Sequence, residues 1–194
     1  MSAANLCTLV RVLLAPLFAW QLAAAGRSPS VTPLAIYAVA VLTDLADGRL
    51  ARAGGRTSPV GRLFDHGADA LFLFPALAGL ATRGRVPILL PCAATLAFLL
   101  YCRDGWQRGR SLRAMDLTPS RSGMAAGVAN YAVVGAASGA LWLGGGVLDR
   151  AVYAGALAAV ALNLAAALER TYRLLQSVQR SALSHGEWGR ARHR

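Results

Sequence analysis

The chain has 194 residues, 56% of them hydrophobic and 15% charged; its 20 basic residues are all arginine and its formal net charge is +11. A soluble domain carries about a quarter charged residues, so an ordinary soluble fold is excluded, and the length suggests one domain. With no soluble basic domain to carry it, nucleic-acid binding is argued against, and the positive charge instead suits anionic phospholipid and phosphate-bearing substrates.

Apolar runs recur at about the 20-residue length that a helix needs to cross ~30 Å of hydrocarbon. Backbone in lipid must satisfy its own hydrogen bonds, so these runs are expected to be helices. In chain order they are Leu6–Ala25, Pro33–Arg52, Gly61–Ala81, Val86–Cys102, Gly123–Gly144 and Leu148–Leu168. The first run lacks a basic leader and a cleavage site, and reads as the first span. Glycine and alanine are abundant in all six, as in closely packed membrane helices. The expected fold is all-α, an integral membrane bundle of six transmembrane helices. Residues 1–176 would form the membrane domain and 177–194 a basic, partly disordered tail. A polar, arginine-rich loop, Arg103–Ser122, separates spans four and five. Cys7, Cys92 and Cys102 match no zinc or redox spacing and read as small buried hydrophobes.

Arginine counts orient the spans. The turn between spans two and three with its helix ends, the loop between spans four and five, and the C-terminal end lie on one side of a six-helix chain. They hold most of the arginines. The opposite side holds Arg27, Arg83, Arg85 and Arg150. The crowded side is expected to be cytoplasmic, with both termini inside.

The chemistry concentrates in Thr43–Ala70, TDLADGRLARAGGRTSPVGRLFDHGADA, which holds four of the nine acids: Asp44, Asp47, Asp65 and Asp69. Carboxylates in apolar spans are costly and are functional by default. Asp44, Asp47, Gly48 and Ala51 share one helix face, and Gly61, Asp65 and Asp69 share another. A turn containing glycine and proline returns the chain so that the two faces can meet. Gly48, Ala51 and Gly61 leave room beside the acids for a bulky ligand. Clustered carboxylates repel, so they call for protonation or for cations. Oxygen-only ligation favours hard ions such as Mg²⁺, Mn²⁺ or Ca²⁺, and two adjacent cations suit phosphoryl transfer.

Asp44, Asp47, Gly48, Ala51, Arg52, Gly61, Asp65 and Asp69 fill every fixed position of D-x-x-D-G-x-x-A-R, eight residues, G-x-x-x-D-x-x-x-D. This resembles the signature of the CDP-alcohol phosphotransferase family, whose six-span core is also similar. The resemblance implies that Asp44, Asp47 and Asp65 ligate two Mg²⁺ or Mn²⁺ ions, and that Asp69 ligates and acts as general base. It implies that Gly48, Arg52 and Ser58 contact the CDP portion. The opening NLCTLVR resembles the family's first helix, which would bring Asn5 and Thr8 near the nucleotide. A homodimer is implied by the same resemblance.

The implied reaction moves a phosphatidyl group from CDP-diacylglycerol to a small polar alcohol, glycerol 3-phosphate or an inositol compound, with release of CMP. This belongs to phospholipid biosynthesis at a bacterial inner membrane, with the site facing the cytoplasm. Arg121, before the fifth span, would bind the acceptor's phosphate. Two departures bear on the acceptor. Ala70 and Met124 stand where phosphatidylglycerophosphate synthases and a related family segment carry lysine. SPVGRLFDHGAD, with His66, is similar instead to choline and ethanolamine phosphotransferases, which join a CDP-linked head group to a lipid alcohol. His66 then competes with Asp69 as base; its other reading is a helix-face histidine bonded to a neighbour. Two further alternatives are a divalent-cation transporter and a scaffold-only family member.

Overall fold

The computed structural model describes residues 3–24, 29–53, 59–111 and 114–191, with all their side chains but those of 3–8, 46–53, 59, 178 and 180–191. Among the described residues there are six α-helices and no strand: α1 Ala3–Ala24, α2 Thr32–Ala53, α3 Pro59–Thr82, α4 Leu89–Gly109, α5 Arg121–Leu143 and α6 Gly146–Ala191. Each overlaps most of one of the expected runs.

The helices close a ring in the order α1–α2–α5–α6–α4–α3. Small residues set the spacing. A Cβ on Gly79 of α3 would stand 2.9 Å from the carbonyl oxygen of Ala19, so α1 and α3 touch backbone to backbone. Phe18 stacks on Phe72 beside that contact, with centroids 4.7 Å apart. Between α5 and α6, buried Asn130 and Asn163 exchange side-chain hydrogen bonds of 3.2 and 2.9 Å. Each satisfies the other's amide, as polar groups in an apolar interior must be. Large apolar side chains such as Leu13, Trp20, Leu42, Leu71, Leu99, Val128 and Leu168 face outward. An exterior of this kind suits lipid rather than water.

Among the described residues, three helical segments are long and apolar enough to cross a membrane: Val60–Thr82, Arg121–Leu143 and Gly146–Ser177. Leu9–Ala24 and Thr32–Leu45 are shorter apolar stretches, and α4 is not among them. Six spans were expected. The described side chains of α1 and α2 begin at Leu9 and end at Leu45, and in α4 Arg103, Asp104 and Arg108 enter the last turns and lower its apolar character.

Two boundaries also differ. α4 does not stop at Cys102 but continues through Asp104 and Gly105, both buried, to Gly109. Gly105 and Gly109 clear a path for the following segment, because a Cβ on either would strike the backbone at Asp116 or Ala114. Arg110, in the left-handed conformation at φ 57°, caps the helix by donating its N–H to the Trp106 carbonyl at 2.7 Å. α6 does not stop at Leu168; its backbone stays helical to Ala191, through the stretch expected to be a partly disordered tail. Two cysteines also depart from expectation. Cys92 is exposed and Cys102 half-buried; both lie on α4, and Cys92 faces out of the bundle. Cys7 lies outside the described side chains.

One end of the bundle is tied by ordinary polar contacts. Arg85 pairs with Asp149 at 2.6 Å, joining the α3–α4 turn to the start of α6. Arg83 donates to the Ala23 carbonyl at the end of α1, and the Ser30 N–H donates to the Leu141 carbonyl of α5 at 3.0 Å. Gly144 and Gly145, at φ 72° and 115°, make the turn into α6 that side-chain-bearing residues rarely adopt. The acids of the motif lie at the opposite end.

Candidate active site

The late turns of α2 and the early turns of α3 bring Asp44, Asp65 and Asp69 together, with one carboxylate oxygen from each all within 4.8 Å of one another. The helical spacing read in the sequence accounts for this: Asp65 and Asp69 are one turn apart on α3 and face Asp44 across the α2–α3 hairpin. A third helix contributes the cation. Arg11 of α1 is fully buried and inserts its guanidinium among all three acids. Its Nη1 is 2.8 Å from Asp44 Oδ1 and also donates to Asp69 Oδ1, and its Nη2 donates to Asp65 Oδ1 at 2.6 Å. Nε of the same side chain is buried and has no hydrogen-bond partner among the described residues.

A fourth helix reaches the same carboxylate. Tyr131 of α5 donates its hydroxyl to Asp69 Oδ1 at 2.7 Å. Tyr131 is held in turn from α2, where the Tyr37 hydroxyl donates to the Tyr131 backbone carbonyl at 2.9 Å. The Tyr37 ring lies against Gly135, where a Cβ would approach it to 2.8 Å. Asp69 Oδ1 thus accepts from both a charged donor and a neutral one.

The donor set fits a hard divalent cation. All three ligand atoms are carboxylate oxygens, and they already surround a cationic group. Comparison with known proteins gives the family. Residues 1–168 match the model of the family described as CDP-alcohol phosphatidyltransferase. The chain belongs to that family. A cardiolipin synthase (CMP-forming) of Streptomyces coelicolor is 33% identical over 89 residues, 44% of this chain and 41% of the relative. A probable phosphatidylglycerophosphate synthase of Mycobacterium tuberculosis is 38% identical over 87 residues, 43% of this chain and 42% of the relative. The chain therefore spans less than half the length of the curated relatives it matches. With its three membrane-length helices, this CDP-alcohol phosphatidyltransferase family member is a membrane protein.

The other residues expected at the site fall in three groups. Asp47, Gly48, Ala51 and Arg52 lie on α2 and Asn5 and Thr8 on α1, but their side chains are outside the described residues, as is the whole of Ser58. Gly61 lies exposed in the first turn of α3, one turn before Asp65. Arg121 opens α5 and is exposed, immediately after Ser120, whose hydroxyl accepts from the Gly123 N–H at 3.1 Å. His66 packs its ring toward α4. Its ring meets the Tyr101 ring of α4 edge-on, centroids 5.7 Å apart and planes at 82°.

Behind His66 lies a second polar cluster that the sequence did not single out. Asp104 of α4 and Arg170 of α6, both buried, form an ion pair. Arg170 also donates to the Thr118 carbonyl at 2.8 Å and lies 5.1 Å from the centroid of the Tyr101 ring. Tyr101 donates to the Leu117 carbonyl at 2.9 Å. Arg108 bridges Asp104 and Asp116 at 3.0 and 2.8 Å. Together these contacts fasten the segment before α5 onto α4 and α6. On its solvent side a polar cleft opens, lined by Asp104, Arg108, Arg173, Gln176 and Ser177. The hydroxyl of Thr118, hydrogen-bonded to Asp116, holds that loop carboxyl below its usual range, and Arg108 adds to the effect.

Neither Arg11 nor Tyr131 stands out in a reading built on acids. Arg11 does carry a signal, since it is the lone charge in an otherwise apolar run, where an ionisable side chain marks a functional position and needs a partner. Tyr131 carries none, because a tyrosine in a small-residue span is unremarkable.

Proposed function

We propose that the protein is a metal-dependent phosphotransferase that moves a phosphatidyl group from CDP-diacylglycerol to a small polar alcohol and releases CMP. The observation that carries this reading is the convergence of three motif acids from two helices at one end of the bundle. Relatives named as a phosphatidylglycerophosphate synthase and a CMP-forming cardiolipin synthase support phosphatidyl transfer over the choline-type alternative.

Asp44, Asp65 and Asp69, with Asp47 one turn along α2, would hold two Mg²⁺ or Mn²⁺ ions, whose chemistry is to neutralise phosphate oxygens and charge on the leaving CMP. Asp69 receives the proton of the acceptor hydroxyl. Tyr131 keeps its carboxylate turned for that transfer. The acceptor oxygen then bonds to the phosphorus distal to cytidine as the bond to CMP breaks. Gly48, Arg52, Ser58, Asn5 and Thr8 contact the CDP portion, Ala51 and Gly61 leave space for it, and Arg121 takes the acceptor's phosphate. His66 supports Tyr101 rather than acting as base. The working molecule is a six-span homodimer in a bacterial inner membrane, with residues 1–176 as the membrane domain and both termini in the cytoplasm.

The test is CMP release by purified protein given CDP-diacylglycerol and a panel of acceptors. Activity should vanish in chelator and return with Mg²⁺ or Mn²⁺. Full activity in excess chelator would end the metal reading. Turnover only with CDP-choline or CDP-ethanolamine and a diacylglycerol acceptor would replace phosphatidyl transfer with the choline-type reaction.

A further inference from the structure

We propose that Arg11 is a tethered counter-cation of the acidic site, holding its carboxylates together until a divalent cation takes them over. The inference rests on reading the site as a metal centre. Asp44, Asp65 and Asp69 belong to two helices, and the guanidinium that joins them belongs to a third. Arg11 is wholly buried, whereas the side chains of the acids are 25–47% exposed. The arginine thus lies beneath the acids and leaves their outer side open to an arriving ion.

Charge and bonding point the same way. Asp44, Asp65 and Asp69 against one guanidinium still leave two net negative charges, so the cluster attracts a further cation even with Arg11 in place. Both terminal nitrogens of Arg11 are engaged by carboxylates, while its Nε is buried without a partner among the described residues. An unmade buried hydrogen bond is costly, so the carboxylates, and not the arginine's own bonding, set its position. The Oδ1 atoms that Arg11 grips are the natural ligand atoms for an ion that needs oxygen at roughly 2.0–2.6 Å. Two cations sharing those oxygens would repel strongly in a medium of low dielectric. Ion binding is therefore an exchange in which Arg11 yields its contacts.

Mn²⁺ binding to the purified full-length protein, followed by electron paramagnetic resonance, tests this without turnover. Arg11→Gln removes the competitor and should bind Mn²⁺ about tenfold or more tightly, as loss of an adjacent like charge implies. Without metal, its thermal midpoint should fall below that of the wild type, and Mn²⁺ should restore it. Arg11→Lys supplies a second readout that survives if Arg11→Gln does not fold. The chain has no lysine, so this variant carries its sole side-chain amine. Amine-directed labelling at position 11, located by mass spectrometry, should be slow without metal and rise when Mn²⁺ is added. Metal-independent labelling, or Mn²⁺ affinity in Arg11→Gln equal to or weaker than wild type, would overturn the exchange while leaving the metal centre intact. Absence of Mn²⁺ binding in wild type and both variants would overturn the metal reading with it.

Discussion

Asp69 is held by two unlike donors, the Arg11 guanidinium and the Tyr131 hydroxyl, on a single oxygen. In the proposed reaction that leaves the other carboxylate oxygen to meet the acceptor. Asp69→Asn should lose about 10²–10⁴-fold in kcat, the usual contribution of a general base, while keeping binding of the CDP substrate. Tyr131→Phe removes one hydrogen bond to a charged group, typically about 1.5–3 kcal/mol. It should therefore lower kcat roughly tenfold or more with little change in the donor's KM, since the tyrosine touches the acid and not the nucleotide. His66→Ala should be milder than either, because its ring contacts Tyr101. Steady-state kinetics on the three variants decide the assignment; a dead His66→Ala beside an active Asp69→Asn would transfer the base to His66. The meeting of Asp44, Asp65 and Asp69 was legible in the sequence, since helical spacing puts Asp65 and Asp69 on one face and the turn returns that face toward Asp44. Their partners were not. A spacing argument sees what shares a helix, and Arg11 and Tyr131 come from helices that meet the acids only through tertiary packing.

At the level of helices, small residues decide which pairs can approach. Gly79 has the Ala19 carbonyl oxygen and the Ala23 nitrogen 2.9 and 3.2 Å from where a Cβ would lie, whereas Gly127 of α5 has nothing within 4 Å. Gly79→Ala should therefore cost about 1–3 kcal/mol by overpacking. Gly127→Ala should be neutral or stabilise, by up to about 1 kcal/mol from helix propensity. Thermal unfolding in detergent separates the two outcomes. The Asp104–Arg170 pair makes a second test. Removing one partner of a buried ion pair leaves the other uncompensated, so Asp104→Leu, which strands the buried Arg170, should destabilise by about 3–5 kcal/mol. The existence and order of the six helices were legible from apolar length. The end of α4 was not, because Arg103, Asp104 and Arg108 read as loop. They are helical because Asp104 is neutralised by Arg108 and Arg170, and because Gly105 and Gly109 let the next segment lie against the helix.

For the whole molecule, arginine asymmetry supports a cytoplasmic acidic end and C terminus. A reporter fused after Arg194 should behave as cytoplasmic, and an external signal would overturn that topology. The tied end of the bundle has a mechanical consequence. Arg83, the Arg85–Asp149 pair and the Ser30 contact anchor the helices there, so the proposed exchange at the acidic end would draw on rotation about that tied end. From Ala23 at that pivot to Arg11 the lever arm is about 18 Å, at ~1.5 Å per residue. A tilt of roughly 3° over such an arm shifts the far end by about 1 Å. The nitrogen–oxygen separations of 2.6–2.8 Å around Arg11 exceed Mg²⁺–oxygen distances of roughly 2.0–2.1 Å by less than that. In the proposed exchange, a helix inclination of a few degrees would be enough to turn a grip on a guanidinium into a grip on an ion.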